Sequence, residues 1–294
     1  MLRAGLLVMA MCLGLAGCSG DPDRPAASRP AETPTAAPAP TPPPASPAQS
    51  PSPTPTRVGN ATPAPRWLGT RVLPVGPNGF AAARDTPPEL RERSIITVDD
   101  LPPPPDGQFH ATVEAVPASV LARSSWTKAC PVAAADLRYL TVGFRGFDGR
   151  AHTGELLVDK RVADDLVTVF RQLFAANFPI ERMRISSRAD MDAPPTGDGN
   201  TTEGFACRPV RGHATWSEHA YGLAVDINPF QNPYHKGDVV LPELATAYLD
   251  RTDARPGMLQ LHGPVVKAFT AIGWGWGGTF RSLRDYMHFS ANGR

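Results

Sequence analysis

The stretch Trp216–Asn228 reads WSEHAYGLAVDIN and places an imidazole, His219, seven residues before a carboxylate, Asp226. Leu223, Val225 and Ile227 alternate with Ala224 and Asp226, the pattern of a strand with one apolar face. Asp226 therefore projects from the opposite face. A lone carboxylate aimed into an apolar core is costly, whereas imidazole nitrogen and carboxylate oxygen are both good zinc ligands. Gly222 lets the chain turn between the two, so that they can converge. A third donor has to come from elsewhere. In the tail segment GWGWGGTFRSLRDYMHF the best candidate is His288, with Asp285 three residues before it. Three protein ligands with an open fourth position form the catalytic zinc arrangement, in which bound water has a pKa of about 7. A carboxylate beside that water, here Asp285, can take its proton and later pass it to a leaving amine. The sequence holds no HExxH, no Gly-x-Ser-x-Gly and no Walker loop, so these other hydrolytic mechanisms lack support.

Ser217-x-His219-x6-Asp226 followed by Asp285-x-x-His288 resembles the M15 family of zinc peptidases, and SEHAYGLAVDINPFQNPY is similar to that family's best-known motif. The family includes D-Ala-D-Ala carboxypeptidases, dipeptidases and L-Ala-D-Glu endopeptidases that act on peptidoglycan. The resemblance runs from about Leu121 to the C-terminus. It implies zinc held by His219, Asp226 and His288, and Asp285 as general base, where many members have glutamate. It implies that Ser217 helps to bind substrate or to orient the site. It also implies an upstream arginine that holds substrate and stabilises the tetrahedral oxyanion. Arg208 is preferred over Arg188 for that role, because a disulfide at Cys207 would fix its backbone. The implied substrates are peptidoglycan stem peptides, with carboxypeptidase and endopeptidase activity both open. The competing reading is an inactive lipoprotein that binds peptidoglycan or a partner.

The elements that must position these residues follow from periodicity. Leu137–Phe144 and Gly154–Val158 read as strands flanking the turn Phe147-Asp148-Gly149-Arg150. Arg161–Asn177 reads as a helix, with Val162, Leu166, Val169, Phe170, Leu173 and Phe174 recurring at three and four. Met183–Ser186 and Leu223–Ile227 read as strands, Ala189–Gly199 as a polar loop, and Pro264–Ile272 as a helix. Strands and helices intersperse without a strict alternating repeat, so the predicted class is α+β with a small antiparallel sheet and flanking helices. The resemblance implies one domain of the DD-peptidase type. His110, His152, His213, His235 and His262 read as surface or loop residues. Trp274 and Trp276 read as packing residues, and Asn232 and Tyr234 as part of a turn after the strand.

Composition divides the 294 residues. Of 34 prolines, 15 fall between Ser19 and Pro65, and only 11 remain after His110. Residues 1–17 read as a signal peptide, with Arg3 ahead of an apolar run too short to span a bilayer. Leu15-Ala16-Gly17-Cys18 resembles a lipobox, which implies lipidation of Cys18; the alternative is an ordinary secretory signal. Residues 18–66 form a tether whose Pro, Ala, Ser and Thr cannot bury enough apolar area to fold. Residues 67–120 read as an irregular arm with no regular element beyond short strands, and 121–294 as the peptidase domain, large enough for its own core. With Cys12 in the signal and Cys18 lipidated, Cys130 and Cys207 remain. An exported protein favours a disulfide between them over two buried thiols. The expected location is the outer face of the cell membrane, anchored by lipid and working in the wall space as a monomer. A net charge of +1 provides no basic field for nucleic acid.

Overall fold

The computed structural model describes residues 60–294. The signal segment, Cys18 and most of the tether lie outside the described residues. In chain order the elements are α1 (Pro88–Arg91), β1 (Ala111–Ala115), α2 (Ala118–Arg123), β2 (Leu137–Arg145) and β3 (Ala151–Asp159). Then come α3 (Ala163–Ala175), β4 (Arg182–Met183), α4 (Arg188–Asp192), β5 (Thr201–Thr202) and β6 (Ala224–Asp226). The last are β7 (Tyr234–Lys236), β8 (Val239–Leu241), α5 (Pro264–Ala271), β9 (Gly275–Trp276), β10 (Arg284–Asp285) and β11 (His288–Ser290).

Alternation is longest in β2 and β3, and there the longest ladder forms, antiparallel from Leu137 opposite Asp159 to Arg145 opposite Ala151. Gly149 closes the connecting turn at φ 77°. β1 adds to the free edge of β2. Two further three-stranded antiparallel sheets, β10-β7-β8 and β6-β11-β9, and a short parallel pair, β4-β5, hold the remaining strands, and isolated bridges add to them. The α+β class stands, but the strands spread over several small sheets rather than one. The strand expected at Met183–Ser186 is reduced to the two residues of β4.

The apolar face of α3 holds Leu166, Val169, Phe170 and Leu173, all buried against β2 and α5. Val225 and Ile227 enter the same core from one side of β6. Phe289 of β11 stacks on Phe269 of α5, with ring centroids 4.0 Å apart. Each such side chain contributes roughly 1.5–3 kcal/mol by leaving water, and together they hold β6 and β11 side by side. Trp274 and Trp276 belong to this core, as their packing role requires. Cys130 and Cys207 are joined by a disulfide that closes 77 residues of chain.

The segment 67–118 contains the one-turn helix α1 and the strand β1, and it packs into the fold. Leu90 and Ile95 share a second core with Phe230, Leu244 and Tyr248. Arg93 is buried: Nε and Nη2 donate to the Glu181 carboxylate at 2.8 and 2.7 Å, and Nη1 donates to the Asp198 carbonyl oxygen at 2.8 Å. One histidine departs from the sequence reading. His152 is 2% exposed rather than a surface residue. It lies in β3, with Nδ1 2.8 Å from Asp99 and Nε2 3.0 Å from Asp148, so that carboxylates from two different loops satisfy a ring that the sheet buries.

Arg93→Ala would leave Glu181 with only the amide of Asn200 as a side-chain partner. Removing one member of a buried pair costs about 3–5 kcal/mol. A loss of that size in urea denaturation is expected, and an unchanged midpoint would remove the segment before β1 from the stability of the fold.

Candidate metal centre

Three polar atoms converge at one end of β6. His219 Nε2 lies 3.2 Å from His288 Nδ1 and 3.3 Å from Asp226 Oδ1, and His288 Nδ1 lies 3.1 Å from the same oxygen. All three residues are buried. Each arrives by a different local route. Ser217 caps the 3-10 turn Glu218–Tyr221, its Oγ accepting from the His219 amide at 3.4 Å, and so sets the turn that carries His219. Gly222 ends that turn at φ 70°, where a Cβ would stand 2.6 Å from the Asp159 nitrogen. Asp226 ends β6, and His288 begins β11 directly opposite it in the antiparallel register. Directly opposed residues present their side chains on one face, which accounts for the meeting of Asp226 and His288 across 62 residues of sequence.

The outer nitrogens of both imidazoles are already engaged. His219 Nδ1 donates to the Gly204 carbonyl oxygen at 2.5 Å, and His288 Nε2 to the backbone oxygen of Arg294 at 3.0 Å. Backbone oxygen partners of this kind fix the tautomer and aim the other nitrogen inward as a lone pair. Two lone pairs and a carboxylate oxygen then face one another with no donor between them, and only a cation reconciles them. Tetrahedral coordination with bonds of about 2.0–2.2 Å sets neighbouring ligand atoms about 3.3–3.6 Å apart, slightly wider than the 3.1–3.3 Å found. His219, Asp226 and His288 thus form a group that could hold a metal ion.

In the metal-free protein a proton takes that place. Burial opposes charge on Asp226, but His219 and His288 outweigh it and hold the carboxyl below its ordinary range. Burial alone would lower His288; its hydrogen bond to Asp226 and the charge there carry it up to about 9.

Asp285 stands next to this trio. Its Oδ1 is buried without a hydrogen-bond partner. Burial, with the Asp226 charge adding to it, pushes the carboxyl up to about 6 against the pull of His288, His219 and Arg208. Gly277 makes room for it, since a Cβ there would overlap the Asp285 carbonyl oxygen. Arg208 follows the disulfide-bonded Cys207 and is partly buried; its guanidinium makes no ion pair among the described residues, and its charge acts on Asp285. Arg188, the other candidate, faces solvent on α4 and pairs with Asp192 at 2.9 Å.

Three features escaped the sequence reading. Glu203 forms an antiparallel bridge with Asp226 and reaches Ser186 with its carboxylate. Asn232 is a buried hub rather than a plain turn residue, its amide donating to the Ile227, Asn228 and Gly257 carbonyls at 3.1, 3.2 and 2.9 Å. Tyr234 lies in β7 opposite Asp285. The local signal for Asn232 was the residue type alone; Glu203 and Tyr234 carried none.

Since the shared proton must leave before a cation enters, metal affinity should rise about tenfold per pH unit from about pH 6.5 and level off near 9; competition titrations against a chelator would detect a flat profile. Without metal, the His288 contribution to stability is fully present below about 6.5 and lost as pH rises through about 9. Gly222→Ala adds roughly 1–2 kcal/mol of left-handed strain and an overlap with β3, and should weaken metal binding as well as stability. Unchanged affinity would show that the turn does not place His219.

Residues 211–291 match the family model described as D-alanyl-D-alanine carboxypeptidase, of the M15 peptidases. No curated protein and no solved structure matches the chain. The matched stretch contains His219, Asp226, Asp285 and His288, the residues that geometry gathers at this centre. Over residues 211–291 the match supports a peptidase of the M15 type.

Proposed function

We propose that the protein is a zinc-dependent peptidase that hydrolyses amide bonds in peptidoglycan stem peptides. The observation that carries this reading is the set of three inward-facing acceptor atoms, His219 Nε2, Asp226 Oδ1 and His288 Nδ1, with a partnerless carboxylate beside them. Nitrogen and carboxylate donors in this number suit zinc with a position left open. When bound there, zinc supplies Lewis acidity, which polarises a carbonyl and acidifies water.

The protein's own residues supply the rest. Gly204 and Arg294 hold the two imidazoles in the tautomers that binding needs. A carboxyl near 6 is mostly ionised at neutral pH yet basic enough to accept a proton, so Asp285 is the general base and later the acid toward the leaving amine. Arg208, whose guanidinium has no carboxylate partner among the described residues, binds the substrate carboxylate or the developing oxyanion. Ser217 orients the turn that holds His219. The description of the matched family favours removal of a terminal D-Ala over a cut after L-Ala. The sequence ahead of residue 60 supports secretion, lipid anchoring at Cys18 and work in the wall space.

Digestion of purified muropeptides by the zinc-loaded protein, followed by mass spectrometry, tests the reaction. Loss of one terminal D-Ala is expected, whereas an untouched digest would favour a peptidoglycan-binding protein without hydrolysis. Asp285→Asn should lower kcat by about 10²–10⁴ with zinc content intact, and the acid limb of the wild-type rate profile should fall near pH 6 rather than near 4. Full activity in that variant would displace Asp285 as the base.

A further inference from the structure

Glu203 shares the register that builds the metal centre. Its amide donates to the Asp226 carbonyl oxygen at 3.2 Å, and the Asp226 amide donates back at 2.9 Å. Glu203 is therefore the direct neighbour of Asp226 on one side, as His288 is on the other. Opposed residues of antiparallel strands point to one face, so Glu203, Asp226 and His288 form a single row across three chain segments. The carboxylate of Glu203 nevertheless lies outside the group of atoms close enough to share an ion.

Its two oxygens differ in surroundings. Oε2 accepts from the Ser186 hydroxyl. Oε1 has no hydrogen-bond partner among the described residues, and Glu203 as a residue is partly exposed. No cationic side chain among the described residues lies in ion-pair contact with Glu203. Arg184 is committed to Asp190, with both terminal nitrogens on that carboxylate at 2.8 and 2.7 Å. Arg208 is also without an ion-pair partner. Burial holds the Glu203 carboxyl above its ordinary range against the pull of His219 and Arg208, so an acceptor kept without a partner beside the metal centre is complementary to a cation that would offset that cost.

We propose that Glu203, steadied by Ser186, is a substrate-binding residue that receives an ammonium group of the peptide, on a residue close to the scissile amide. This rests on the peptidase reading and narrows its substrate class to peptides with a free amine near the cut. Ser186 acts as a positioning residue, holding one oxygen and leaving the other to receive the ammonium group.

The test uses the zinc-loaded full chain carrying Asp285→Asn, so that peptide is bound and not consumed. Two probes are titrated by calorimetry: a Lys-D-Ala-D-Ala peptide with a free side-chain amine, and the same peptide with that amine acetylated. Acetylation should weaken binding at least tenfold. Adding Glu203→Gln should make the two peptides bind alike, with zinc content unchanged, and adding Ser186→Ala should give an intermediate loss of discrimination. Equal binding of both peptides by the parent protein, or discrimination that survives Glu203→Gln, overturns the proposal and leaves the peptidase reading standing. Loss of zinc in the Glu203 variant would make it a ligand and likewise overturn it. If neither peptide binds the parent protein, the peptidase reading falls and this inference falls with it.

Discussion

Everything at this centre depends on three acceptor atoms being forced together without a donor among them. His219 Nε2, Asp226 Oδ1 and His288 Nδ1 would repel one another unless a proton or a metal ion sat between them. The surrounding fold imposes the arrangement. Core packing of Phe289 on Phe269 and of Val225 beneath β6 fixes the β6–β11 register. Two backbone oxygens occupy the outer imidazole nitrogens, and that leaves the inner ones as lone pairs.

The same register extends to Glu203. Asp226 is the central member of a row flanked by His288 and Glu203, while Asp285 of β10 packs against Gly277, where a side chain would leave it no room. Polar chemistry is thus concentrated on one face, and the other face of β6 feeds the apolar core. The carboxylates around the trio experience different fields. Asp226 is held ionised by two imidazoles, whereas Asp285, with a partnerless oxygen, is pushed up by burial. One carboxylate suited to binding a cation and another suited to exchanging a proton arise from environment alone.

The segment before β1 illustrates what local sequence conceals. Read from composition, 67–120 is an irregular arm, since Pro102 to Pro105 interrupts its apolar residues. In the fold, Leu90 and Ile95 fill a second core and Arg93 is clamped by Glu181 from the far side of α3. His152 was misread for a related reason. A histidine in an alternating strand gives no local sign of burial, and Asp99, which makes burial tolerable, is 53 residues away.

The sequence alone determined the chemical types and their local settings: a histidine before a tight glycine turn, an aspartate on the polar face of a short strand, an aspartate three residues before a second histidine, and one long amphipathic helix. These were legible because periodicity, capping and turn chemistry are short-range effects that act over a few residues. Tertiary structure decided which nitrogen of each imidazole points inward, that Glu203 joins the row, that Arg208 stays free while Arg188 pairs at the surface, and that Asn232 ties the strand end to the Gly257 turn. Those outcomes depend on contacts between segments tens of residues apart. Their positions are set by strand register and by the packing of one shared core, and no local propensity encodes either.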